Sequence, residues 1–328
     1  MSKIAADYHI MANQIGIILC PGFALMSYAA LTEPLRAANR LGASPPYQIT
    51  VLGEDRAPVA SSQGIAVQPD RELGAWQKLH WLFVVAGGRA EQFEDPKVFA
   101  TIRNAARSGV VVGGVSGGPL ILAKAGVMGG RRMTVHWEHA DALREIAPDI
   151  ALERSLFVID RDRITCAGGT APMDMMHHLI ASDHGASLAR SVSDWFLHTE
   201  IRPSAGPQRA GLAERLGSAH PALLEAVSVI EADPSTPPSL PALAARSGVS
   251  VRQMTRLFRD HLRTTPMGYA RRSRLAVARR LIVQSPLPLT EIAFATGFAN
   301  HSHFTRCFTS EFGHPPSQLR RAHWESTR

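Results

Sequence analysis

The chain has 328 residues, 45% apolar and 19% charged, and its 35 Lys and Arg outnumber 28 Asp and Glu for a formal net charge of +7. That length holds two or three cores and that composition is globular, which excludes a disordered chain; the three scattered cysteines, Cys20, Cys166 and Cys307, indicate neither a disulfide framework nor a metal site. No apolar run approaches the ~18 residues of a membrane span, and the opening MSKIAADYHIMANQ lacks a signal-peptide core, so a cytoplasmic protein is expected.

In chain order, Gln14 to Cys20 reads as a buried strand, followed by a helix from about Ala24 to Leu41. Tyr47 to Gly53 and Leu79 to Gly88 are further strands. Asp95 and Pro96 start a helix through Arg107, and Val110 to Val115 is an apolar strand ending in Ser116-Gly117-Gly118-Pro119. A short helix, a hairpin within Leu152 to Gly169 and a helix over Thr170 to His184 complete this half. Strands that alternate with helices and are apolar throughout predict an α/β layer, a flavodoxin-like parallel sheet with helices on both faces. The segment from Arg202 to Gly217 is rich in Pro, Gly and polar residues and reads as a linker. The predicted domains are therefore 12–200, a linker 201–218, and 219–328.

The second half reads as all-α. A helix over Pro221 to Ala232 precedes a helix-turn-helix pattern at Leu240 to Leu262, turning at Gly248. One long helix follows, Pro266 to Gln284, and then a second such pattern at Leu289 to Arg320, turning at Gly297. Phe304, Cys307, Phe308 and Phe312 give this last segment an apolar stripe at helical spacing. The opposite faces carry Ser250, Arg252, Gln253 and Arg256 in the first unit and His301, Ser302, Thr305 and Arg306 in the second. Such side chains suit a helix lying in a DNA major groove. Charge placement agrees: from Leu240 to Arg328 there are 14 Arg and no Lys against Asp260, Glu291, Glu311 and Glu325, a net of +10, leaving −3 for the first 239 residues.

The pair of units, the connecting helix and the closing run ATGFANHSHFTRCFTSEFGHPPSQLRR resemble the AraC/XylS family of transcription regulators over roughly Leu223 to Arg321. The resemblance implies promoter DNA and RNA polymerase as partners and two adjacent grooves read by one chain. Homodimerisation is expected, because one basic domain offers few contacts for tight binding at cellular salt.

In the first half, Gly114-Val115-Ser116-Gly117-Gly118 matches G-x-S-x-G, the elbow that exposes a catalytic serine. Ser116 equally suits a helix cap or a ligand contact. A hydrolase would also need an acid and a histidine, for which Asp141 or Asp174 and His177 or His178 are candidates. The run VVGGVSGGPLILAKAGVMGGRRMTVHW resembles the DJ-1/PfpI class of glutamine-amidotransferase-like domains over roughly Gln14 to Leu197. That class carries a reactive cysteine where this chain has Ser116, which implies a pocket kept without its chemistry. No catalytic residue, metal or cofactor is therefore expected. The resemblance places His136 and Glu33 at the class's histidine and acidic positions. The elbow offers the N–H groups of Gly117 and Gly118 to a carboxylate; Glu33 and Trp137 would take a cation. The run FALMSYAALTEPLRAANRL resembles the subgroup answering to glycine betaine, carnitine or arginine, which implies a small cationic or zwitterionic amine effector. A serine hydrolase using Ser116 with a DNA-binding appendage, or a first domain that only dimerises, are the alternative readings.

Overall fold

The apolar stretches of the first half become strands because helices cover both of their faces. The computed structural model describes residues 12–43, 45–74, 78–285 and 287–325, in two units that divide between Gln208 and Arg209. Residues 1–11, part of the stretch read for a signal sequence, lie outside the described residues.

The strands of the first unit are β1 (Asn13–Leu19), β2 (Tyr47–Gly53), β3 (Val59–Ala60), β4 (Ala66–Val67), β5 (Arg71–Glu72) and β6 (Trp81–Ala86). After them come β7 (Val111–Ser116), β8 (Arg132–Met133), β9 (Ala151–Leu152), β10 (Phe157–Asp160) and β11 (Arg163–Cys166). Seven form one sheet in the order β10-β11-β7-β6-β1-β2-β5, parallel except for the β10–β11 hairpin. The helices are α1 (Leu25–Leu41), α2 (Pro96–Arg107), α3 (Gly118–Lys124), α4 (Ala140–Ile146), α5 (Ala171–His184) and α6 (Ala186–Trp195). Leu31, Leu35, Met175 and Ile180 from α1 and α5 pack on Ile15, Ile17, Phe83 and Val115 on one face. Val98, Ile102, Leu120 and Leu143 from α2, α3 and α4 pack on Ile18, Leu82, Val84 and Val112 on the other. This is the expected flavodoxin-like α/β layer.

The stretch read as a linker, 201–218, is divided between the units. Asp174, only 1% exposed, accepts from the Arg202 backbone N–H at 2.9 Å and from its Nη2 at 2.6 Å, and also meets His198 Nε2 at 2.9 Å. Leu156 donates to the Ser204 carbonyl, and Gln208 Nε2 reaches Thr134 Oγ1 and the carbonyls of Val135 and Ser155. Composition reads as flexible here because the partners of Arg202 and Gln208 lie far away in sequence.

The second unit has eight helices among the described residues: α7 (Leu212–Leu216), α8 (Pro221–Ala232), α9 (Leu240–Arg246), α10 (Val251–Leu262), α11 (Pro266–Gln284), α12 (Leu289–Ala295), α13 (His301–Phe312) and α14 (Pro316–Glu325). Two cores result. Leu223, Val227, Ile230, Leu243, Met254 and Phe258 form the first with Ala270; Leu275, Leu281, Ile292, Phe298, Phe304 and Phe308 form the second. Helix α11 supplies residues to both, so it fixes α10 and α13 relative to one another.

Candidate functional site

At the end of β7 the chain turns so sharply that Ser116 takes φ +62°, the left-handed region that costs a residue with a Cβ about 1–3 kcal/mol. Hydrogen bonds and missing side chains hold it there. Gly117 N–H donates to the Ala86 carbonyl at 3.2 Å, and the Ser116 carbonyl accepts from His136 N–H at 3.3 Å. A Cβ on Gly118 would lie 2.0 Å from the Val84 carbonyl oxygen, and one on Gly168 would lie 2.6 Å from Ser116 Cβ and 2.9 Å from Ser27 Oγ. Ser27, 1% exposed on α1, accepts from Gly169 N–H at 2.8 Å. The elbow is thus walled by glycine backbone and by Ser27.

Beside it runs a short 3-10 turn, Trp137–His139. His136 Nδ1 accepts from Glu138 N–H at 3.3 Å, and its ring lies 5.3 Å from that of Trp137, which is 38% exposed. Burial, then the neighbouring His139, holds the His136 imidazole below its ordinary value, against the pull of Glu138. His139 and Glu91 are both buried, with Nδ1 and Oε2 3.5 Å apart; neither these atoms nor Glu91 Oε1 makes a hydrogen bond among the described residues.

In the second unit α10 and α13 both begin with a side-chain cap. Ser250 Oγ accepts from Gln253 N–H at 3.2 Å while Gln253 Oε1 accepts from Ser250 N–H at 2.9 Å, a reciprocal capping box. Asn300 caps α13 through His303 N–H at 2.8 Å. Arg252, Arg256, His301, Ser302 and Arg306 are exposed and Thr305 is half-buried. Thr305 Oγ1 lies 3.3 Å from His301 Nε2. Among the described residues no carboxylate pairs with Arg252, Arg256 or Arg306, whereas Arg246 is paired with Glu225 and Arg272 with Glu311. Half-buried in the second unit, Arg274 donates from Nε to the Pro234 carbonyl at 2.9 Å and from Nη1 to the Gly297 carbonyl at 3.1 Å.

Known proteins combine these two units. Residues 14–182 match the DJ-1/PfpI family and residues 243–322 a helix-turn-helix domain. The HTH-type transcriptional regulator GlxA of Rhizobium meliloti is 44% identical over 310 residues, spanning 94% of this chain and 96% of that protein. The chain belongs to the DJ-1/PfpI family, in its branch of HTH-type transcriptional regulators. A crystal structure of an AraC family transcriptional regulator from Pseudomonas putida superposes on 56% of this chain and 99% of its own at 27% identity and a TM-score of 0.51. An isonitrile hydratase of Pseudomonas putida is 30% identical over 195 residues, 59% of this chain and 81% of that enzyme.

Within this DJ-1/PfpI regulator several expectations need correcting. Ser116 does not cap α3: Gly117 holds the cap position without a side-chain bond, and Ser116 Oγ makes no hydrogen bond among the described residues. Glu33 is committed elsewhere, since Arg36 Nη2 meets its carboxylate at 2.5 Å in open solvent. Six helical residues separate it from Ser27, a rise of about 9 Å and a rotation onto another face. The anion nest loses a donor, because Gly117 N–H already serves the Ala86 carbonyl. The hydrolase partners do not assemble either: Asp141 pairs with Arg144 at 3.0 Å, Asp174 holds Arg202, His177 Nδ1 meets Ser193 Oγ at 2.8 Å, and His178 lies against Phe157. Nor can the neighbouring Cys166 stand in as a nucleophile, for burial pushes its thiol up to about 12. Sequence reasoning missed Ser27, Glu91 and His139. The run HWEH carries a signal for His139; nothing marks the other two.

Proposed function

We propose that the chain is a cytoplasmic, ligand-responsive transcription activator in which the elbow region binds a small effector without catalysis and α10 and α13 bind promoter DNA. The observation that carries this reading is the set of exposed arginines without carboxylate partners, Arg252, Arg256 and Arg306, on two capped helices tied to one connecting helix. Guanidiniums left free in this way suit phosphate and guanine contacts. A homodimer would double those contacts, and RNA polymerase is the partner that activation requires. The elbow supports a non-enzymatic role, since among the described residues Ser116 Oγ makes no hydrogen bond to a histidine or carboxylate, and His177 and Asp174 are engaged elsewhere. A small amino compound such as glycine betaine or carnitine fits the family resemblance. In this reading Trp137 would contact the quaternary ammonium, with His136, Ser116 and Gly118 contributing to the site. Fluorescence anisotropy of the full chain on its own upstream DNA, with and without glycine betaine, carnitine and arginine, tests both halves of the proposal. No sequence-selective binding would sink the regulator; selective binding unmoved by every amine would sink only the effector class. A fluorophosphonate label on Ser116 would return the site to the hydrolases.

A further inference from the structure

Away from the elbow, the first unit has a cavity of about 410 Å³ lined by Arg103, Arg107, Arg131 and Arg163 together with Gly126, Val127 and Gly129. It lies at the opposite end of the strands. Arg163 pairs with Val112 at the start of the β11–β7 ladder, whereas Ser116 ends β7 four residues on, roughly 13 Å away at 3.3 Å per residue. Among the described residues no acidic side chain lines the cavity.

The charge is unbalanced at every level. Arg163, 7% exposed, is fixed by Nε donating to the Val127 carbonyl at 2.9 Å and Nη1 meeting Asp162 Oδ2 at 2.9 Å. Arg131 meets the other oxygen of the same carboxylate at 2.6 Å. Two guanidiniums therefore share one carboxylate, and Arg131 Nη1 is buried without a hydrogen-bond partner among the described residues. Above them Arg103 and Arg107 stand at i and i+4 on one face of α2, a like-charged pair that repels unless an anion sits between. Neither is paired with a carboxylate among the described residues; Arg107 Nη2 only donates to Asn104. Four guanidiniums against the single Asp162 leave three positive charges around the cavity, in a part of the chain whose first 239 residues sum to −3.

We propose that this cavity is a second ligand site, taking a small polyvalent oxyanion, either a phosphate compound or a polycarboxylate. Its size is that of small-molecule sites rather than of a macromolecular interface. Planar guanidiniums bind both anion types through paired N–H donors. Arg131 and Arg163 form the rigid floor, while the exposed Arg103 and Arg107 close over the ligand. The proposal is independent of what the elbow binds.

Titration calorimetry of the full chain with pyrophosphate and with citrate, at low and at physiological salt, tests it. At least one anion should bind, the stronger of the two naming the ligand type. Arg103→Ala/Arg107→Ala should weaken that binding at least tenfold, without altering the response to any amine effector. Because those two side chains are exposed, the variant should fold. A second variant acts by shape alone: a Cβ on Gly129 would meet nothing within 4 Å, so Gly129→Phe should fill the cavity and abolish binding with all four arginines in place. Absence of heat from both anions at low salt, or wild-type affinity in both variants, would overturn the site.

Discussion

The elbow and the recognition helices place their polar atoms under opposite constraints. Around Ser116 the functional geometry comes from side chains that are absent: Gly117, Gly118 and Gly168 let three backbone segments close on one buried hydroxyl. Along α10 and α13 it comes from side chains that are present, with apolar anchors such as Met254, Phe258, Phe304 and Phe308 buried so that arginines stand free in solvent. A substitution at the elbow therefore acts through space, and one on a recognition helix acts through charge. Gly297 crosses this division, because the turn before α13 uses the device of the elbow inside the helical unit.

Gly297 should accordingly give the largest effect. Its φ is +78°, and a Cβ there would lie 2.1 Å from the Ser235 carbonyl oxygen, so Gly297→Ala adds a backbone clash to a disfavoured conformation. A loss of about 4 kcal/mol is expected in urea unfolding, with loss of DNA binding. Gly313 shares the φ of +78° but has open space around it, and Gly313→Ala should cost only about 1 kcal/mol. Equal losses would show that conformation alone, without the clash, governs the turn. Gly168→Ala comes next. Its φ is +90° and its Cβ would meet Ser116 Cβ at 2.6 Å, so about 3 kcal/mol should be lost from the first unit. Effector response should vanish while DNA binding survives.

These glycines also explain what the sequence could tell. The fold was legible, since apolar strands covered on both faces and helices with Phe304 and Phe308 at i and i+4 are periodic patterns. The exposed faces of α10 and α13 were legible for the same reason, because a side chain opposite a buried stripe must face solvent. The elbow was legible as a motif but not as a set of neighbours. Ser27 reaches Gly169 across 142 positions, and Glu33, six residues further along the same helix, turns to Arg36 instead. Asp174 looked available for catalysis and instead anchors Arg202, a contact no local pattern encodes.

Arg274 sharpens the contrast within the second unit. It is an arginine that works by reach rather than by meeting a partner in solvent, holding the carbonyls of Pro234 and Gly297 at once. Arg274→Ala should cost about 2 kcal/mol of stability, a figure typical for hydrogen bonds to a charged group, and should weaken binding to every DNA sequence alike. Arg256→Ala should behave differently: negligible change in unfolding, with about 1–3 kcal/mol lost in operator binding and relaxed specificity at one base pair. A uniform loss across operators, with a shallower salt dependence, would make Arg256 a phosphate contact instead.

The smallest effect concerns protons at the elbow. Burial, with His139 adding to it, keeps the His136 imidazole below its ordinary value of 6.5, outweighing Glu138. The unfolded chain then binds a proton at higher pH than the folded chain does. Between those two values the unfolded state holds more protons, so stability rises with pH; it is complete above 6.5 and declines as pH falls below that value. His177, lowered by its own burial, contributes in the same direction. Urea midpoints of the full chain should therefore fall on acidification below neutrality. His136→Gln, which keeps a hydrogen-bonding side chain but cannot take up the proton, should flatten that fall without removing the part due to His177. The exposed arginines of the second unit stay charged throughout this range and add nothing to the slope. A slope unchanged in His136→Gln would mean that the imidazole beside Ser116 carries its proton equally in both states, and the elbow would then be open to water rather than closed by its glycines.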